Sequence, residues 1–142
     1  MNDRIRLSFQ KKSRLPNERE KLKSFIVSIF KKEKTPLSEM RFVFCSDEFL
    51  HEINRTHLKH DDLTDVITFV YSKSGDPVQS EAYISLDRVF ENAGIYKTTK
   101  SRELHRVVFH SVLHVCGYND KKPAQKTTMR AREDHYLNLY FR

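Results

Sequence analysis

The 142 residues include no tryptophan and only two cysteines, and no stretch comes near the roughly 20 apolar residues of a membrane span. Two cysteines are too few to staple a chain of this size, so a disulfide framework is excluded. Cys45 and Cys116 are expected to be reduced, with Cys45 as core filler. The opening MNDRIRLSFQKK lacks the apolar segment of a signal peptide. A soluble, cytoplasmic protein without a membrane partner is expected. No repeat or low-complexity tract occurs, which removes solenoids and disordered tails from consideration.

What is present suits a packed domain. Hydrophobic residues make up 38% and charged residues 32%, with ten Phe and six Tyr, a polar balance that still supports a core. This length matches one domain, residues 1–142. The net charge of +7 is unevenly spread: residues 1–34 hold eleven Lys or Arg against four Asp or Glu, whereas residues 35–142 hold fifteen of each. A local basic patch of this kind fits phosphates or anionic lipid, and equally a solvated helix face.

Ile5, Leu7 and Phe9 alternate with polar residues, the period of a half-buried strand. From Asn17, a candidate cap, Leu22, Phe25, Ile26, Ile29 and Phe30 form one apolar helical stripe. Thr35-Pro36 ends it, and Arg41 to Cys45 reads as a second strand. Ser46 or Asp47 then caps a short helix through Phe49, Leu50 and Ile53. Thr64 to Tyr71 is expected to be a central strand covered on both faces. The turn Ser74-Gly75-Asp76-Pro77 sets the next strand, Glu81 to Leu86, antiparallel to it. Beyond Ser85 or Asp87 the chain reads as three helical pieces, broken near 97–100 and 117–123. The sum is an α+β domain with a small central mixed sheet of about four strands packed with about five helices.

The chemistry lies in His110-Ser111-Val112-Leu113-His114. Two imidazoles four residues apart stack on one helix face, where their nitrogens can converge on an ion; the ordinary alternative is a pair of core or capping histidines. Gly117 suits the left-handed position that ends a helix, and the turn it permits can bring Asp120 back as a third ligand. Imidazole and carboxylate are both zinc donors, and three protein ligands leave a fourth position for water, the arrangement of a catalytic site. One Zn2+ per chain, held by His110, His114 and Asp120, is therefore expected. Ser111 stands where zinc peptidases of the H-E-x-x-H type carry their glutamate, which argues against peptide hydrolysis. Cys116 and Tyr118 are expected to pack and to close the turn. Arg102, His105 and Arg106 are expected to be solvated.

The run from His110 to Asp120 resembles the H-G-x-L-H-L-x-G-Y-D-H signature of the YbeY family of endoribonucleases, also called ribosomal RNA maturation factors. Ile53-Asn54, Thr64-Asp65-Val66-Ile67-Thr68-Phe69 against the family's T-D-V-L-S-F, Tyr83-Ile84-Ser85, Met129 and Glu133 extend the likeness. It implies a zincin-like metal-binding helix and zinc-dependent, single-strand-specific cleavage of RNA. It also implies 3′ end maturation of small-subunit ribosomal RNA, ribosome quality control, and a partnership with the small ribosomal subunit; no DNA substrate is expected. With an RNA substrate, Lys11, Lys12, Arg14 and Lys23 are candidate phosphate contacts. Two departures stand out. Asp120 occupies the family's third histidine position, and Leu58 stands where an arginine is usual, leaving Arg55, Lys59 or His60 as substitutes. Asp65 is a candidate general base, although an acid beside a strand start ordinarily caps or pairs locally, and no catalytic base is assigned. Thr64 and Asn54 suit turn and capping roles equally well. A ribosome-associated RNA-binding factor with a structural metal is the alternative reading, and a metal-dependent hydrolase of another substrate a third.

Overall fold

Period-two alternation at Ile5, Leu7 and Phe9 becomes the first strand, β1 (Ile5–Phe9), and the apolar stripe after it becomes α1 (Arg19–Lys32), burying Leu22, Ile26, Val27, Ile29 and Phe30. The computed structural model describes residues 2–57 and 64–142. Its remaining elements are β2 (Leu37–Cys45), α2 (Asp47–His57), β3 (Val66–Val70), β4 (Val78–Ser85), α3 (Leu86–Ile95), α4 (Lys100–Val115) and α5 (Pro123–Tyr140). The fold is α+β, with four strands and five helices among the described residues. Leu58, Lys59 and His60, singled out in the sequence, lie outside them.

The strands form one sheet in the order β1-β2-β4-β3. β1, β2 and β4 run parallel, and β3 pairs antiparallel with β4 as the short turn between them requires. The expectation that β3 is central is corrected: it is the edge strand, and the longer β2 and β4 are the interior ones. The apolar run of β3 reports covered faces rather than paired edges. Val66 packs against the main core while Ile67 and Phe69 face the cluster of Cys45 and Leu50. Val70 and Tyr71, beyond that cover, are exposed.

Helices α1, α3, α4 and α5 share the main core on one face of the sheet, and α2 covers the other through Leu50 and Ile53. Ser46 and Ser85 act as caps, their hydroxyls accepting from the backbone of Phe49 and Arg88. Asn17 does not cap α1. Arg19 donates to the carbonyls of Pro16 and Ser13, closing the preceding loop so that the chain enters the helix through Glu18 in a left-handed conformation, φ 49°.

Helix α4 is the interior element, packed between α3 and α5 and against β3 and β4. This burial corrects the solvated reading of two of its residues, His105 and Arg106. His105 is fully buried, its Nδ1–H donating to Ser101 O at 2.7 Å and its ring stacked on Tyr140. Arg106 is largely buried and bridges α4 to α5, and Arg102 donates to Asn138. Helix α5 carries the facing stripe, Met129, Glu133, Tyr136, Leu137 and Tyr140.

Candidate metal centre

The end of α4 turns back on itself. Gly117 at φ 111° donates to His114 O at 3.1 Å, and the amide of Tyr118 reaches Leu113 O at 3.1 Å, the paired bonds of a Schellman closure. The Tyr118 hydroxyl then donates to Glu33 Oε1 at 2.8 Å, pinning the turn to the end of α1. Two residues on, Asp120 Oδ2 lies 3.4 Å from Nε2 of His110. Two ligands each about 2.0–2.1 Å from one tetrahedral ion stand roughly 3.3 Å apart, a spacing this pair matches, as does a direct His–carboxylate ion pair.

The His110 ring is oriented from behind. Its Nδ1–H donates to Glu133 Oε2 at 2.7 Å, and Nε2 faces Asp120. Glu133 is itself held by Arg106 at 3.0 Å, whose other nitrogen bonds Asp134 at 2.7 Å. A carboxylate behind a ligating histidine fixes ring tautomer and direction and raises its basicity. Burial by itself would lower the affinity of His110 for protons; the hydrogen bond and charge of Glu133, then Asp120 and Asp65, outweigh it and raise the pKa. Burial pushes the Asp65 carboxyl upward, with His110 opposing. Asp65, His110, Asp120 and Glu133 line one open cavity of about 320 Å³, with Val66 and Met129 as its apolar wall.

The sequence-predicted triad is brought together in two of its three parts. His110 and Asp120 converge, whereas His114, one turn further along α4, presents an exposed ring and does not line this cavity. Among the described residues no three His, Cys, Asp or Glu side chains are gathered to hold an ion. An imidazole and a carboxylate at this spacing nevertheless suit zinc by donor type, and His110 and Asp120 are the residues that would hold it.

Other expectations sort clearly. Asp65 lies in the cavity rather than only beside a strand, although its carbonyl also accepts from Ser85. Thr64 bonds weakly within its own turn, to Val66 O at 3.4 Å. Cys116 and Tyr118 pack against the main core. Ser111 is buried and donates to Val107 O at 3.0 Å, so it offers no base. Of the basic candidates, Lys11 pairs with Asp87 and Lys23 with Glu20, while Lys12 and Arg14 line a groove beside Phe9. Sequence reasoning missed the roles of Glu133 and Arg106. Their signal was there: a glutamate inside the apolar stripe of α5, and an arginine one turn before His110.

Fold and cavity together define an α+β protein whose buried central helix presents an oriented histidine to a pocket lined by Asp65, Glu103, Asp120 and Glu133 together with Arg106, Lys126 and Arg130. The family model described as Endoribonuclease YbeY matches residues 7–140, and the chain belongs to that family. It is 43% identical over 122 residues to the Endoribonuclease YbeY of Cytophaga hutchinsonii, covering 86% of this chain and 85% of the relative. The Flavobacterium johnsoniae Endoribonuclease YbeY is 37% identical over 136 residues, 96% of each chain. A Thermotoga maritima protein solved in solution superposes with a TM-score of 0.68 at 27% identity, over 96% of this chain and 89% of that one. No helix among the described residues is long and apolar enough to cross a membrane.

Proposed function

We propose that this chain is a zinc-dependent endoribonuclease that cuts single-stranded RNA and matures the 3′ end of small-subunit ribosomal RNA in the cytoplasm, in contact with the small subunit and in ribosome quality control. Family membership supports RNA cleavage. The observation that carries the metal dependence is the 3.4 Å approach of His110 Nε2 to Asp120 Oδ2, with Glu133 on the far nitrogen. Zinc, when bound, supplies a Lewis acid for a phosphoryl oxygen and lowers the pKa of water toward about 7. The third ligand in this reading is His114, one turn beyond His110 and exposed near the end of α4.

The chain's own residues do the positioning. Glu133 keeps the proton of His110 on Nδ1, and Arg106 keeps Glu133 in place. Asp65, whose pKa burial raises, lines the same cavity and is the candidate to exchange a proton with the substrate. Ser111, bonded inside its helix, leaves the cavity without the glutamate that peptide hydrolysis by this helix type employs.

Elemental analysis of the purified protein should find about one zinc, and cleavage of an unstructured RNA should stop on chelation and return with zinc. His110→Ala and His114→Ala should lose both metal and cleavage. Undiminished cleavage after complete metal removal sinks the proposal. Salt-sensitive RNA binding with zinc bound and no products would instead establish a non-catalytic binding factor.

A further inference from the structure

The fold sorts the basic N-terminal segment into paired and unpaired charge. Lys11 is tied to Asp87, Lys23 to Glu20 and Arg6 to Glu39. Lys12 and Arg14, both outside any helix or strand, make no ion pair among the described residues. With Phe9, Ser13 and Arg19 they line one groove. Arg19 forms its wall, the guanidinium 4.0 Å above the Phe9 ring and two of its nitrogens bonded to the carbonyls of Pro16 and Ser13. That wall is held in place by bonds that leave the charge unneutralised.

The groove and the His110 cavity sit at two ends of one cross-strand row. Phe9 pairs with Phe44, Phe44 with Ile84, and Ile84 with Val66; Phe9 lines the groove and Val66 the cavity. Three strand spacings of about 4.8 Å separate them by roughly 14 Å. Both lie at the end of the sheet where β1, β2 and β4 finish and β3 begins. The carboxylates at the intervening positions are neutralised, Asp47 by Arg88 at 2.9 Å and Asp87 by Lys11. An anionic strand leaving the cavity along this edge therefore meets paired acids first and unpaired cations next.

We propose that Lys12 and Arg14, backed by the Arg19–Phe9 wall, bind phosphates of a single-stranded RNA several nucleotides away from the segment held in the His110 cavity. This rests on RNA being the substrate. The contacts read backbone charge, so they are independent of sequence and each adds about 0.7 to the salt dependence of single-strand binding.

The test compares labelled, unstructured oligoribonucleotides of about 2 nucleotides, too short to cross that distance, and of about 16 nucleotides, the upper end of single-strand site sizes, by fluorescence anisotropy, with strand integrity checked on gels. The double variant Lys12→Ala, Arg14→Ala should bind the longer strand roughly tenfold more weakly at low salt. Its slope of log Kd against log salt should fall by about 1.4, and its affinity for the shorter strand should be unchanged. Unchanged binding of the longer strand, or equal weakening of both, overturns the inference. Cleavage by the unmodified protein is scored separately: no products alongside an intact length-dependent difference overturns the nuclease reading and leaves the phosphate contacts standing.

Discussion

Oε2 of Glu133 lies 2.7 Å from Nδ1 of His110, and the other oxygen of that carboxylate accepts from Arg106 at 3.0 Å. The arrangement ties α5 to the buried α4 and aims Nε2 into the cavity. Removing the carboxylate leaves His110 free to turn and Arg106, with only 14% of its side chain exposed, short of one partner. Glu133→Ala should weaken zinc binding about 10–100-fold, read by competition with a chromophoric chelator. Glu133→Gln, which keeps an acceptor, should recover part of the loss. Equal affinity in all three proteins refutes the positioning role.

Gly117 is required for its backbone angle and not for space. At φ 111° an L side chain is strained, yet a Cβ built there meets nothing within 4 Å. Gly117→Ala should cost about 1–2 kcal/mol and weaken zinc binding as the turn to Asp120 shifts. Gly94, in α3 with equally open surroundings, should respond oppositely: Gly94→Ala should stabilise by about 0.5–1 kcal/mol. Urea unfolding of both variants checks the signs, and a neutral Gly117→Ala would contradict the argument.

His105 makes stability depend on pH. Burial holds its pKa below the usual histidine value, the hydrogen bond to Ser101 opposing only in part, and Nε2 has no hydrogen-bond partner among the described residues. The unfolded chain therefore binds the proton more readily. The contribution is fully present above the unfolded pKa of about 6.5 and declines as pH falls through that value toward the folded one. His110, with its pKa raised, acts in the opposite sense, so the difference between wild type and His105→Phe isolates the effect. That difference should shift against the wild type between about pH 7.5 and 5.5. A constant difference across the range rules the explanation out.

Glu33 is the anchor of the loop carrying Asp120. It accepts from Tyr118 at 2.8 Å and Arg132 at 2.7 Å, and from Tyr136. Burial raises its pKa, but the bonds from Tyr136, Arg132 and Tyr118 together outweigh burial and lower it. Its stabilisation is therefore present above the unfolded value of about 4.3 and lost as pH falls through the folded one. Glu33→Gln should cost about 1–3 kcal/mol at neutral pH, with the deficit closing in acid, and should weaken zinc binding through Tyr118. Calorimetric melting at several pH values checks the first part and chelator competition the second.

Much of this was legible in the chain. The alternation at Ile5–Phe9, the hairpin turn at Gly75 and the three C-terminal helices all appear where local pattern put them. So did the Gly117 turn and the approach of Asp120 to His110. The edge position of β3 was not legible, because an apolar run records which faces are covered and says nothing of how many neighbours the strand has. His105 and Arg106 read as surface residues because polarity in a helix of valines does not reveal which helix lies opposite.

The sequence by itself determined the helix that carries the histidines, the turn that follows it and the family, since these depend on spacing and backbone preference among residues near in the chain. Only the tertiary structure decided which charges meet. Glu133, 23 residues from His110, and Glu33, 85 from Tyr118, are joined by the packing of α4 against α5 and α1. Charge pairing depends on distances in space, and packing of helices far apart in the chain sets those distances. The same packing brings Lys11 to Asp87 and leaves Lys12 and Arg14 without an ion pair among the described residues.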